Sequence, residues 1–326
     1  MATFHLPEPG RPQVLVERDG GEGLLDIDAD RLIDLYKAHG ALLLRGFGAD
    51  GAQFRRFAWQ FCTTSVFNES PGRQPIEPEY NILTVDGGTG AFALHPELSR
   101  EPWKPDVAFF CCLSAPSRGG MTTICDGVDL VRNLPDAVRR GLEGRRLLYV
   151  KPTWPELLDY WLGTAEPSDA QLLSAPAECP YFFRRVGDQI VRAFSRPALH
   201  KPMFIDAPAF GNFLLFARFN NGRPDFPLLD DGRPVPEAWL QAIKATGDGL
   251  AVPIDWRNGD VVMLDNSRFM HGRTAILDAS ERLIATFFGY LNFAVPDPEE
   301  PPSAPWRRAD FSPPLPPDHP LRRRPA

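Results

Sequence analysis

The sequence is short of several features that would have settled its class quickly. It has no apolar run long enough to cross a bilayer, which takes about 20 residues, so no membrane partner is expected. It has no run of lysine and arginine in the body of the chain, and its formal net charge is −7. A nucleic-acid-binding face needs clustered basic side chains, so no nucleic-acid partner is expected either. The opening residues, MATFHLPEPGRPQ, lack a charged segment followed by an apolar one. No secretory signal is expected, and a cytoplasmic location is. The five cysteines (Cys62, Cys111, Cys112, Cys125 and Cys179) contain no CxxC pair and form no regular framework. That sets aside a thiolate zinc site and predicts reduced thiols. Oligomeric state stays open.

Proline is in excess, with 35 residues, 11 of them between Pro296 and Pro325. Such a segment holds neither regular helix nor sheet. Residues 294–326 are expected to be an extended tail, wrapped on the surface or disordered, with the arginines at 322–324 solvated. Residues 1–293 are expected to form one domain. Hydrophobic residues make up 43% of the chain, enough for a substantial core.

Within that domain, residues 30–39 carry Leu32, Ile33, Leu35 and Tyr36 at helical spacing, with Gly40 just past the end. Residues 51–62 place Phe54, Phe57, Ala58 and Phe61 on one stripe behind an Asp50 cap. Between them, ALLLRGF reads as a buried strand. Short strands are expected over 78–84, 91–98 and 107–114, helices over about 135–142 and 236–245, then three close strands in GLAVPID, DVVMLDN and RLIATFFGYLNF. FLLFARFNN at 213–221 also reads as β-like. The fold class expected is mainly β with flanking helices (α+β), built on a barrel or jelly roll.

Only six histidines are present: His5, His39, His95, His200, His271 and His319. His95 lies in AFALHPELS, an apparent strand, two residues before Glu97. Side chains i and i+2 share a strand face, so the two converge. His271, in DNSRFMHGRTAI, offers a third ligand. Two histidines and one carboxylate on one face of a metal is the donor set of non-haem Fe(II) oxygenases. The same donors also serve a zinc hydrolase or a non-catalytic metal-binding β-barrel. HGRTAIL and RLIATFF read as a hairpin with LDASE as its turn. That hairpin would return Arg282 to the side of His271, where its planar fork suits a carboxylate.

Taken in order, ALLLRGFG at 41–48, LHPELS at 94–99, APSRGGMTTICDG at 115–127, and GDVVMLDNSRFMHGRTAI at 259–276 with Arg282 resemble the taurine dioxygenase and clavaminate synthase-like branch of the Fe(II)/2-oxoglutarate-dependent oxygenases. The resemblance covers roughly residues 40–293. It implies a double-stranded β-helix core, with His95, Glu97 and His271 as iron ligands and catalytic centre. It also implies 2-oxoglutarate held at its distal carboxylate by Arg282 and Thr122, with O2 as the third reactant.

The departures bear on substrate. Glu97 stands where taurine dioxygenase has aspartate, as in the clavaminate synthase type. A retained carboxylate argues against halogenation. Thr286 stands where taurine dioxygenase has the arginine that grips the sulfonate, which argues against taurine. Arg268 and Arg273, beside His271, and Phe92 and Leu94, before His95, are candidate substrate contacts. Trp103, Phe216, Arg218 and Phe219 are further pocket candidates, with core packing the default for the aromatics. The expected function is hydroxylation of an unactivated C–H bond in a small amino-acid-derived or cyclic-peptide intermediate of secondary metabolism. Desaturation, epoxidation and ring closure are the alternatives within the same class.

Overall fold

The structure is a computed structural model that describes residues 2–278 and 282–323. It is mainly β, with helices packed outside the sheets. The largest sheet has nine strands. Along its length lie Ala2–His5, Val14–Arg18, Ala41–Arg45, Val261–Asp265, Val107–Ser114, Leu283–Leu291, Ile82–Thr84 and Pro75–Glu77, and Cys62–Ser65 also pairs with Leu283–Leu291. A four-stranded sheet runs Val252–Pro253, Thr122–Asp126, Phe269–Arg273, Phe92–His95. A second four-stranded sheet is built from Phe182–Val186, Gln189–Pro197, Arg146–Pro152 and Leu228–Leu229.

The central strands of the large sheet are apolar without interruption because both faces are covered. On Val107–Ser114, Phe109 and Cys111 join the core under the two N-terminal helices, while Ala108, Phe110 and Cys112 face the smaller sheets. Leu283–Leu291 divides the same way, with Phe287 on one side and Ile284 and Phe288 on the other. The second core is shared with Ile124, Phe269 and Met270 of the four-stranded sheet, and the candidate site opens between these two layers.

The helices Ala29–His39 and Gly51–Trp59 cover the outer face. The first ends at Gly40, which takes a left-handed conformation at φ 77° and donates its N–H to the Tyr36 carbonyl. The second is capped by the Asp50 carboxylate, which accepts from Gln53 N at 2.8 Å. It ends at Trp59, so Phe61 and Cys62 already belong to the following turn and strand.

Four expectations need correction. The strand expected over 78–84 begins only at Ile82, because Pro78–Tyr80 forms a 3-10 turn. FLLFARFNN is not a strand: Leu214–Phe219 is a helix, started where the Asn212 side chain accepts from Leu214 N at 3.0 Å. A short apolar run does not distinguish the two by periodicity. The strand expected over 91–98 stops at His95, because Pro96 cannot donate to a ladder. HGRTAIL and RLIATFF do not pair as a hairpin. Phe269–Arg273 belongs to the four-stranded sheet and Leu283–Leu291 to the nine-stranded one. Three residues of the expected LDASE turn, 279–281, lie outside the described residues.

Past Leu291 the proline-rich segment lies on the protein as far as it is described. Apart from short 3-10 turns at Pro305–Arg307 and Pro320–Arg323 it has no regular structure. Trp306 and Phe311 are buried in the second core. Arg307 bridges Asp106 at 2.8 Å and Glu300 at 2.8 Å. All five cysteines are free.

Candidate active site

His95 and His271 are directly opposed in the antiparallel ladder between Phe92–His95 and Phe269–Arg273. Opposed residues in such a pair carry their Cβ atoms on the same face about 5 Å apart. Their rings accordingly lie 4.5 Å apart, centroid to centroid. Nδ1 of His95 is 2.8 Å from the Ala93 carbonyl. An N–H there fixes the tautomer and leaves Nε2 as a donor for a metal. Burial, reinforced by His271, holds His95 down to about 3, so it is neutral at physiological pH.

Glu97 converges on the histidines from the turn after Pro96, not from strand alternation. The turn is strained, with Leu98 at φ 50°, and it is fixed from a distance. The Asn266 carboxamide accepts from Glu97 N at 2.7 Å and donates to the Glu97 carbonyl at 3.1 Å. Arg73 donates to Glu97 Oε2 at 2.9 Å and to Thr286 Oγ1 at 3.1 Å. Burial pushes the Glu97 carboxyl up, but the Arg73 charge, together with His271 and His95, more than offsets that and holds it well below the usual carboxylate range. Glu97 Oε2 lies 3.7 Å from His271 Nε2. One ligand atom from each of His95, Glu97 and His271 lies within 4.8 Å of the others.

These three groups line a cavity of about 220 Å³ that also takes in Thr122 and Arg282. Thr122 begins the strand Thr122–Asp126 opposite Arg273. Its Oγ1 accepts from Trp256 Nε1 at 3.1 Å. Arg282 reaches the cavity across Gly119-Gly120, donating from Nε to the Gly120 carbonyl at 2.8 Å. Both glycines have positive φ, and a Cβ on Gly120 would stand 2.9 Å from Arg282 Cδ. Burial and the proximity of Arg273 bring Arg282 down to about 10, so it remains cationic.

The donor set fits a divalent iron. It is two imidazoles and an ionised carboxylate, with no thiolate, and three donors leave coordination positions for co-substrate and O2. A cationic wall at Arg282 suits a dicarboxylate beside that metal.

The profile of the taurine catabolism dioxygenase TauD, TfdA family matches residues 8–287. The chain belongs to this family. It is therefore an Fe(II)- and 2-oxoglutarate-dependent dioxygenase, and the zinc-hydrolase and non-catalytic alternatives fall away. The chain of this TauD/TfdA member also superposes on PvcB from Pseudomonas aeruginosa, with 15% identity, 88% of each chain covered and a TM-score of 0.57. A further PvcB structure is described as an Fe, alpha-ketoglutarate dependent oxygenase from an isonitrile synthetic pathway, at 16% identity, 88% and 89% coverage and a TM-score of 0.55. A taurine dioxygenase from Burkholderia xenovorans matches at 14% identity, 86% and 87% coverage and a TM-score of 0.55. At these identities the likeness is one of fold. No curated protein matches the chain.

The substrate-contact candidates divide. Phe92 lines the cavity. Leu94 does not. A register shift pairs His271 with His95 but Arg273 with Phe92, so a bulge turns Phe92 and His95, three apart, to the same side. Leu94 is turned into the core instead, near Gly247. Arg268 is also a correction: it binds Asp126 at 2.6 Å and the Ala38 carbonyl at 3.2 Å, away from the cavity. Arg273 lines the cavity, but its guanidinium is held by the carbonyls of Asp86, Gly88 and Gly90. Thr286 stands behind Arg73 rather than in the wall, donating to the Leu83 carbonyl at 3.0 Å. Of the other pocket candidates, Phe216 lines the cavity, whereas Trp103 packs among Phe67, Tyr181 and Phe311. Sequence reasoning missed Arg73, Arg100, Phe110 and Phe213 in the wall and Asn266 behind it. Arg73 sits in the loop SPGRQP, whose composition says only turn.

Proposed function

We propose that this protein hydroxylates an unactivated C–H bond of a small amino-acid-derived or cyclic-peptide intermediate of secondary metabolism, on a double-stranded β-helix core. In this reading His95, Glu97 and His271 hold Fe(II), and Arg282 with Thr122 holds the distal carboxylate of 2-oxoglutarate. The observation that carries it is the convergence of those five side chains on one cavity. When bound, the metal and co-substrate supply the oxidising chemistry.

The chain's own contribution is placement. Asn266 and Arg73 keep Glu97 oriented and charged without a metal present. The Ala93 carbonyl keeps the His95 tautomer. Phe110 and Phe216 pack on the two imidazoles, at 5.0 Å from His271 and 4.4 Å from His95, and keep bulk water from the ligands. Phe92 and Phe216 give the substrate an apolar wall, which fits an apolar body better than a small sulfonate.

Anaerobic Fe(II) with 2-oxoglutarate is expected to give a weak visible charge-transfer band. Glu97→Ala abolishes coupled oxidation. Arg282→Ala chiefly weakens 2-oxoglutarate, by tenfold or more, since charge-assisted hydrogen bonds are worth about 1.5–3 kcal/mol. Unchanged affinity in Arg282→Ala would show the anchor to be misassigned. A substrate panel read by mass separates the outcomes: gain of one oxygen atom means hydroxylation, loss of two hydrogens means desaturation or ring closure.

A further inference from the structure

The cavity wall carries four guanidinium groups, Arg73, Arg100, Arg273 and Arg282, against the carboxylates of Asp86 and Glu97. Three of the four have other duties. Arg73 is bound to Glu97, Thr286 and the Thr84 carbonyl. Arg273 is spent on three backbone carbonyls of the 86–90 loop. Arg282 is bound to the Gly120 carbonyl and faces the co-substrate position.

Arg100 is different. Its nearest acidic oxygens are Glu69 Oε1 at 3.6 Å and Glu101 Oε1 at 3.8 Å, both beyond good hydrogen-bond range. Glu101 is already taken by Lys151. Burial and the adjacent Glu101 push Glu69 up to about 7, which makes it a poor counter-charge at neutral pH. The Arg100 side chain is 26% exposed and lines the cavity, so a ligand there can reach it.

A line of ring contacts joins Arg100 to the metal ligands. The His95 ring lies 4.4 Å from Phe216, Phe216 lies 5.2 Å from Phe213, and the Arg100 guanidinium lies 5.6 Å from the Phe213 centroid. One end of this strip is the oxidising position. The other is a cation whose acidic neighbours lie beyond good hydrogen-bond range, in a cavity that Ser70 and Asn221 also line.

Resting on the oxygenase reading above, we propose that Arg100 anchors a carboxylate of the substrate, whose apolar body lies along Phe213 and Phe216 and presents a C–H bond at the metal end. The substrate class is thus a carboxylic acid with an apolar body of one or two rings' length, which N-acetylated apolar amino acids can probe. A guanidinium binds a carboxylate through two parallel N–H bonds. A neutral ester of the same body loses that pairing.

The test uses the full chain with Fe(II) and 2-oxoglutarate under anaerobic conditions. N-acetyl derivatives of phenylalanine, leucine and tryptophan, each with its methyl ester, are titrated while the charge-transfer band is followed. The expected result is perturbation by at least one acid, with the acid binding tenfold or more tighter than its ester. Arg100→Met removes that preference, and Arg100→Lys keeps part of it. Equal binding of acid and ester, no response to any acid, or a preference that survives Arg100→Met overturns the proposal. If the wild-type protein gives no band with Fe(II) and 2-oxoglutarate, the oxygenase reading fails first and this inference falls with it.

Discussion

Arg73 and Glu97 form an ion pair whose side chains are only 9% and 5% exposed, which makes Arg73→Met the sharpest perturbation of this site. Removing one partner of a buried pair leaves an uncompensated charge and costs about 3–5 kcal/mol. A chain of 326 residues has an unfolding entropy of about 0.7 kcal/mol/K, so the expected fall in Tm is about 4–7 °C. Two further measurements separate the charge effect from lost packing on Phe288 and the lost bond to Thr286. In Arg73→Met/Glu97→Gln no charge is stranded, so the double variant is expected to melt above Arg73→Met alone. Mn(II) supplies a replacement positive charge, so it is expected to raise the Tm of Arg73→Met more than that of the wild type. Scanning calorimetry with and without Mn(II) reads all of these. A double variant no more stable than Arg73→Met, together with equal Mn(II) shifts, would refute the claim that the pair fixes the charge on Glu97.

Gly120→Ala is expected to lower 2-oxoglutarate affinity by tenfold or more, because the new Cβ meets Arg282 Cδ at 2.9 Å on a backbone at φ 66°; titration of the visible band checks it, and an unchanged affinity refutes it. Glu69→Gln is expected to stabilise the protein at pH 8 by on the order of 1–3 kcal/mol. The sign follows from a folded-state value raised to about 7: the wild type loses stability as pH rises through the window from about 4.5 to about 7. The gain should vanish at pH 4.5 and below, and thermal melts at both ends of that range test this. Trp306→Ala is expected to cost about 3–5 kcal/mol, since Trp306 is 4% exposed in the core; a melt within a degree of wild type would mean that the proline-rich segment contributes little to the fold.

Sequence spacing and structure bring the same three side chains together, by partly different geometry. Strand alternation would pair His95 with Glu97, yet Pro96 ends the strand and Glu97 is aimed by Asn266 and Arg73. Both reasonings place the carboxylate near the imidazoles, because a residue two positions along is close whatever the turn. Arg282 was brought home by a hairpin that does not form; two positive-φ glycines let it approach Gly120 from another sheet. Strand periodicity puts Phe92 and Leu94 on one face, because the bulge that separates them depends on the register of the opposing strand, which single-strand periodicity does not contain. Arg73 was invisible because its meaning lies in partners 24 and 213 residues away.

What distinguishes the arginines of this cavity is therefore not their type but what already holds them. A guanidinium saturated by backbone carbonyls, like Arg273, stiffens the wall and has little left to offer a ligand. One paired with a buried carboxylate, like Arg73, sets the charge of a prospective metal ligand and must stay where it is. Only a guanidinium whose acidic neighbours lie outside hydrogen-bond range, or are themselves neutralised, is electrostatically poised to receive an anion. Preorganisation places such groups before the substrate arrives, so that binding energy goes into orientation rather than rearrangement. Arg282, in the wall of the same cavity as His95, Glu97 and His271, and Arg100, at the far end of the Phe216–Phe213 strip, meet that condition.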